Sequence, residues 1–252
     1  RSKLRFIHAA DIHLGSILHT NYEGIKDFYI TFKEAVYEAF QRICSYAIEY
    51  KVDFILLSGD IYDRDIRTVK AGEFFYKQCR RLEEHNIQVY LIRGNHDPYE
   101  KSEELFNLPQ NVHVFSSEEA EIFEVYKNER LVSRILGQSY RGKWDGRKVF
   151  NSYEPLDNSV YNIGLLHTQL ESKNKKYVPC TLEELKQKEK INYWALGHIH
   201  KCKLINCVNP VIAYSGIPQG RDIGEVGMGG CLLVEINEDF SNSISFLPTS
   251  SV

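Results

Sequence analysis

The chain has 252 residues, 43% of them hydrophobic, and a formal net charge of −3. That length suits one α/β domain spanning 1–252, or one with a small appendage, and the apolar fraction is enough for a sizeable core. The slight negative charge excludes nucleic-acid binding through overall basicity, though not a local basic groove, and no apolar run reaches the roughly 18–20 residues of a membrane span.

Leu4 to Ala10 reads as a first buried strand, ending in Asp11-Ile12-His13. Lys26 to Lys51 carries Phe32, Ala35, Val36, Ala39, Phe40, Ile43 and Ala47 at helical spacing. Phe54 to Leu57 is a second strand, and the small-residue turn after it presents Asp60. Val69 to Asn86 is a second helix, with Phe75, Cys79 and Leu82 on one face. Gln88 to Ile92 is a third strand, ending in Gly94-Asn95-His96-Asp97. Strand, helix, strand, helix, strand implies a parallel sheet.

The middle of the chain changes character. Asn111 to Phe115, Ala120 to Tyr126 and Arg130 to Gln138 are short runs with few helical signals between them, suggesting antiparallel strands of a second sheet. Ser139 to Asn158 is polar and aromatic, and reads as a surface insertion. Tyr161 to Leu166 is a buried strand ending at His167. Thr181-Leu182-Glu183-Glu184 has capping-box form and opens a helix to Lys190. Tyr193 to Leu196 is a strand ending in Gly197-His198-Ile199-His200. Val211 to Tyr214, Cys231 to Ile236 and Ser243 to Leu247 close the chain as strands. Six scattered cysteines form no CxxC pair, and free thiols in a reducing cytoplasm fit them best.

Polar residues therefore collect at strand ends: Asp11, His13, Asp60, Asn95, His96, His167, His198 and His200. Oxygen and imidazole donors without thiolate suit Mn, Fe or Zn. Two such cations sharing one carboxylate would grip a phosphate and acidify water. Singly, each residue is as readily a turn cap or a satisfied histidine. Jointly, after five separate buried strands, they point to a site.

The order of these motifs resembles the calcineurin-like metallophosphoesterases, over residues 11–200. That resemblance implies an α/β fold, a two-sheet β-sandwich flanked by helices in four layers, α/β/β/α. It also implies two divalent metal ions, manganese foremost. One would take Asp11, His13, Asp60 and His200; the other, Asp60, Asn95, His167 and His198. His96 would stay outside the metal shell. Its place directly after Asn95 makes it a candidate catalytic acid, with Asp63 close enough to orient it through a hydrogen bond, a simple turn cap being the alternative for Asp63, and with Asp63 or Asp97 near enough to raise its pKa.

Within the superfamily, Phe6 to Leu14, Tyr193 to His200, Tyr214 to Arg221 and Gly229 to Glu235 are similar to the SbcD-type DNA repair nucleases, in particular their YhaO-like bacterial branch. The resemblance implies DNA as substrate and an SMC-like ATPase subunit as partner of the full-length protein, with a homodimer left open. Members of that group extend further, into a DNA-capping region and an ATPase-docking segment, and those functions are not expected of a chain ending at Val252. Arg64 is a candidate DNA contact, because its forked donors could reach a phosphate, with a surface ion pair as the alternative. Arg141, Lys143, Trp144 and Arg147 are further candidates, because basic and aromatic residues interleave there; an ordinary solvated loop is the alternative. His8 is expected to be structural, and His19, His85 and His113 to lie on the surface. A phosphoesterase for a small molecule or phosphoprotein, or a non-catalytic scaffold, are the rival functions.

Overall fold

A computed structural model describes residues 4–16, 26–63, 69–98, 108–221 and 229–251, with side chains of 26–33 outside that description. Among the described residues two six-stranded sheets face each other. The first contains β1 (Leu4–Ala9), β2 (Phe54–Ser58), β3 (Gln88–Ile92) and β4 (Val112–Val114), all parallel. The second contains β5 (Glu121–Lys127), β6 (Arg130–Gly137), β7 (Tyr161–His167), β8 (Tyr193–Gly197), β9 (Lys203–Asn206) and β10 (Val211–Tyr214). Its order is β5-β6-β7-β8-β10-β9, with a parallel centre and antiparallel edges. Finally β11 (Gly230–Ile236) and β12 (Asn242–Pro248) return to the first sheet, β11 lying antiparallel beside β1.

Strand alternation decides which side chains meet. Phe54 and Leu56 join Phe6, Tyr90 and Ile92 on the inner face, against Ile163, Leu165, Tyr193 and Ala195 of the second sheet. Phe6 stacks on Phe54 at 5.2 Å and meets Tyr193 edge-on at 5.3 Å. Ile55 and Leu57 face outward. Helices α1 (Lys26–Glu49) and α2 (Val69–Glu83) cover them with Val36, Phe40, Ile43, Phe75 and Leu82. Each such buried side chain contributes about 1.5–3 kcal/mol relative to exposure. The helix of α2 stops at Glu83, short of the expected Asn86, whose left-handed φ of 58° turns the chain into β3.

Three expectations need correction. The run Asn111 to Phe115 yields no antiparallel strand of the second sheet. Instead β4 runs parallel to β3 at the first sheet's edge, where His113 stacks on Tyr90 at 4.8 Å and bonds Gln88. His113 is thus half-buried rather than a surface residue. The segment Ser139 to Asn158 is not a surface insertion either. Tyr140, Val149, Phe150 and Tyr153 are buried and roof the outer face of the second sheet, with Tyr153 stacked on Trp194. The same layer holds the short α3 (Leu182–Lys186), opened by the expected capping box between Thr181 and Glu184.

Candidate metal centre

Parallel strands end on the same side, so β1, β2 and β3 deliver their following loops to one edge of the first sheet, and β7 and β8 do so for the second. Polar links across the apolar interface hold the two edges together. His8 bonds the Tyr193 hydroxyl at 2.8 Å and the Leu196 carbonyl at 3.0 Å. Ser58 donates to the Ala195 carbonyl at 2.9 Å, and the His167 Nδ1 lies 2.8 Å from the Ser58 carbonyl.

Past the strand ends the β1 and β2 loops stay paired. Asp11 and His13 donate from backbone nitrogen to the Gly59 and Asp60 carbonyls, each at 3.0 Å. Asp11, His13, Asp60 and His198 all take left-handed φ values, 56°, 52°, 55° and 102°. Such backbone costs of order 1–3 kcal/mol per residue, and it concentrates where side chains must be aimed inward. Gly94 lets the loops close: a Cβ there would sit 2.4 Å from Asp60 Oδ1 and 2.9 Å from His167 Nε2.

The Asp60 carboxylate is wedged between imidazoles of both sheets. Its Oδ2 lies 3.1 Å from His167 Nε2 and 3.9 Å from His13 Nε2, while its Oδ1 accepts the His96 backbone N–H at 2.9 Å. Asn95 Oδ1 lies 2.8 Å from the same His167 nitrogen. Ligand atoms of Asp11, His13 and His200 lie within 4.8 Å of one another, as do those of Asp11, Asp60 and His167. Asp11 is therefore in reach of both groups, although the family pattern gives it to one cation. Its carboxylate also accepts the His198 backbone N–H, at 3.1 Å. The His198 ring stands edge-on to His167 at 5.1 Å and is stacked on Tyr177 at 4.3 Å.

The electrostatics favour a cation. Burial pushes the Asp11 carboxyl up to about 7. Burial would raise Asp60 as well, but His167 and His13 hold it well below the usual carboxylate range. Burial would lower His167, but Asp60 and Asp11 carry it to about 9. Burial depresses His13 and His198, the latter to about 3. Among the described residues, both buried ring nitrogens of His13 lack a hydrogen-bond partner. Unpartnered imidazole nitrogen beside buried carboxylate is costly without a ligand, and oxygen and imidazole donors suit a divalent transition ion. The residues fit a metal centre.

Around it, His96 stands half exposed, edge-on to His13 at 5.1 Å. Asp63 Oδ1 is 3.9 Å from its Nδ1, an ion-pair distance rather than the expected hydrogen bond. The other Asp63 oxygen is 3.5 Å from Arg221, a cation that sequence reasoning assigned no role. Asp97 does not face His96. Its carboxylate accepts backbone N–H groups of Asp60, Ile61, Tyr62 and Gly94 at 3.1, 2.7, 3.2 and 2.8 Å. It sets the shape of two ligand loops. Tyr177 was also missed; nothing local in its sequence marks it as a neighbour of His198.

The profile of the calcineurin-like phosphoesterases matches residues 4–202. The chain belongs to that family. Among curated relatives, an uncharacterized metallophosphoesterase of Bacillus subtilis, YhaO, is 36% identical over 94% of this chain and 59% of its own length. The DNA double-strand break repair protein Mre11 of Methanocaldococcus jannaschii is 30% identical over 84% of this chain and 56% of its own. The chain thus spans little more than half of these relatives. Of solved structures, a dimetal phosphatase from Danio rerio superposes with a TM-score of 0.53 at 11% identity, covering 97% of this chain and 99% of that one. GAP50 of Plasmodium gives 0.55 at 12%, covering 100% and 86%. These share the fold.

The expected DNA contacts fare differently. Arg64 lies outside the described residues. Arg141 is exposed and pairs with Glu118 at 3.4 Å, and Lys143 lies over the exposed Trp144 ring. Arg147 turns inward. Its Nε and Nη2 donate to Asp145 at 2.8 and 2.6 Å, and its Nη1 to the Ser117 carbonyl at 2.7 Å. That guanidinium is already engaged by Asp145 and by the Ser117 carbonyl.

Proposed function

We propose that the centre holds two divalent cations, manganese foremost, and that the chain hydrolyses phosphodiester bonds of DNA as an exonuclease and endonuclease in DNA repair. One cation is assigned to Asp11, His13, Asp60 and His200, the other to Asp60, Asn95, His167 and His198. The observation that carries this is the Asp60 carboxylate between His13 and His167, beside His13 nitrogens with no other partner among the described residues. Relatives named for DNA double-strand break repair support DNA as the substrate. Bound together, two such cations supply the positive charge that grips a phosphodiester and acidifies water.

The protein's own groups do the rest. Asp97 and the left-handed loops hold the donors in place. His96, outside the donor set and half exposed, donates a proton to the departing sugar oxygen. Asp63 steadies its ring and is itself held by Arg221. Six free cysteines fit a cytoplasmic setting, and an SMC-like ATPase remains the partner proposed for the full-length protein. No helix among the described residues is long and apolar enough to cross a membrane.

The test is the purified chain with Mn²⁺ on labelled single- and double-stranded DNA, beside an aryl phosphodiester. Cleavage of DNA that stops on chelation is expected. Failure on DNA with every metal, combined with turnover of the aryl diester, would refute DNA as the substrate.

A further inference from the structure

Beside the metal centre two segments are laced together. Asp145 donates from backbone nitrogen to the Lys176 carbonyl at 2.8 Å, and its own carbonyl accepts from Val178 at 2.7 Å. The buried Asp145 carboxylate accepts the backbone N–H groups of Arg141 and Arg147, each at 3.2 Å, as well as the Arg147 guanidinium. This fixes the loop from Arg141 to Arg147 against residues 176–178.

Trp144 rides on that frame with 58% of its surface exposed. Lys176 Nζ lies 4.9 Å from its ring centre and Lys143 Nζ 5.6 Å. Among the described residues no acid pairs with Lys143, Lys173, Lys175 or Lys176, whereas Arg141, Arg147 and Lys148 each have a carboxylate. The residue after Lys176 is Tyr177, whose ring stacks on His198 of the centre. A single exposed aromatic is ordinary on a protein surface. An exposed indole on a braced loop, with acid-free lysines leading to a metal-centre histidine, is a directed arrangement.

From it we infer that Trp144, Lys143 and Lys176 form a platform for one single-stranded nucleic acid. A nucleobase stacks on the Trp144 ring and the flanking phosphates lie on the two lysines, so that the strand passes Tyr177 to the centre. This rests on the phosphodiesterase reading of that centre. Stacking needs an open base face, which an intact duplex offers only at its ends; lysines as point charges read phosphate and not sequence. The site therefore takes a single strand or a frayed end with little sequence preference.

The chain reports on this itself. It has two tryptophans. Trp194 is wholly buried and donates to the Leu185 carbonyl, so Trp144 is the one a ligand can reach. Phosphorothioate oligothymidylate, which resists hydrolysis, is titrated into the Mn²⁺-loaded protein while tryptophan fluorescence is followed. Saturable quenching is expected, with affinity falling as salt rises. The Trp144 variants lack that reporter, so affinities are compared by the anisotropy of the same oligonucleotide carrying a fluorescein label: Trp144→Phe should keep most of the affinity, and Trp144→Ala should lose about 5- to 100-fold. Lys143→Ala with Lys176→Ala should flatten the salt dependence. Absence of quenching, an unchanged affinity in Trp144→Ala, or equal quenching by heparin or by a closed duplex hairpin overturns the platform. Cleavage of unmodified oligothymidylate is scored separately. Quenching without cleavage refutes the nuclease reading and keeps the platform; cleavage without quenching does the reverse.

Discussion

Asp97 offers the sharpest test of how the centre is assembled, because its carboxylate touches no candidate cation donor directly and acts through backbone. It is 1% exposed and accepts four N–H groups, two on each oxygen: Asp60 and Gly94 on Oδ1, Ile61 and Tyr62 on Oδ2. Asp97→Ala orphans all four. At about 1–3 kcal/mol for each buried unsatisfied donor, discounted for water entering the space, the loss is at least about 3–5 kcal/mol, a large share of a domain's stability. Asp97→Asn is more discriminating. Its single amide oxygen can serve one pair, while its NH₂ confronts the other. Against that loss stands a gain, since burial and then the Asp60 charge push the Asp97 carboxyl up to about 6, so ionising it there is costly. The two effects oppose each other, and the net stability change should stay within about 2 kcal/mol. Loop geometry has no such compensation. Mn²⁺ affinity, measured by calorimetry, should fall about 10- to 100-fold, as for other residues that orient metal ligands, while urea unfolding shifts little. An Asp97→Asn protein with wild-type Mn²⁺ affinity would show that the four bonds do not shape the donor loops.

Three further outcomes follow from the geometry. His96→Gln should keep its metals but lose about 10²–10⁴ in rate on DNA, and much less on a nitrophenyl diester, whose leaving group needs no proton; equal losses on both would make His96 a positioning residue. Gly94→Ala drives a Cβ to 2.4 Å from Asp60 Oδ1, so Mn²⁺ occupancy by elemental analysis should collapse, and full occupancy would show that the loops can part without harm. Burial lowers His8 from 6.5 to about 4, so its neutral form stabilises the fold fully above pH 6.5 and progressively less as pH falls toward 4. Urea unfolding at pH 7 and pH 4 should show wild type losing about 3 kcal/mol that His8→Gln does not lose; identical pH dependence in the two proteins would refute it.

The strand ends were legible because two signals coincide there: a continuous apolar run stops, and a donor-type residue follows within a few positions. Asp11, Asp60, Asn95, His167 and His198 all fit that rule, and the structure brings their loops to one edge. What the rule lacks is direction. Asp97 and Asp63 stand in the same motifs, and only the folded backbone shows that one carboxylate turns to loop N–H groups and the other to His96 and Arg221. Strand orientation was equally hidden at β4, three residues long, because parallel or antiparallel pairing is decided by where the connection crosses and not by Val112-His113-Val114. The buried aromatics of 140–153 follow no period, so an irregular layer that roofs a sheet looked like a solvated loop.

The donors come from both sheets, so the centre depends on how the sheets sit against each other. The interface between them is mostly apolar, built from Phe6, Phe54, Leu56, Ile163, Leu165 and Ala195. Apolar burial holds the layers together but has no direction, and a slide of an ångström would cost it little. Hydrogen bonds do have direction. The links of His8 to Tyr193 and Leu196, of Ser58 to Ala195, and of His167 to Ser58 cross the interface close to the ligand-bearing ends of β1, β2, β7 and β8. The last of these uses a candidate metal ligand itself: His167 meets a backbone carbonyl of the opposite sheet with Nδ1 and turns Nε2 toward Asp60 and Asn95. One imidazole thereby ties sheet position to donor geometry. A buried histidine with one nitrogen fixed by a carbonyl presents the other in a defined orientation, which is what a buried carboxylate held between two sheets needs opposite it.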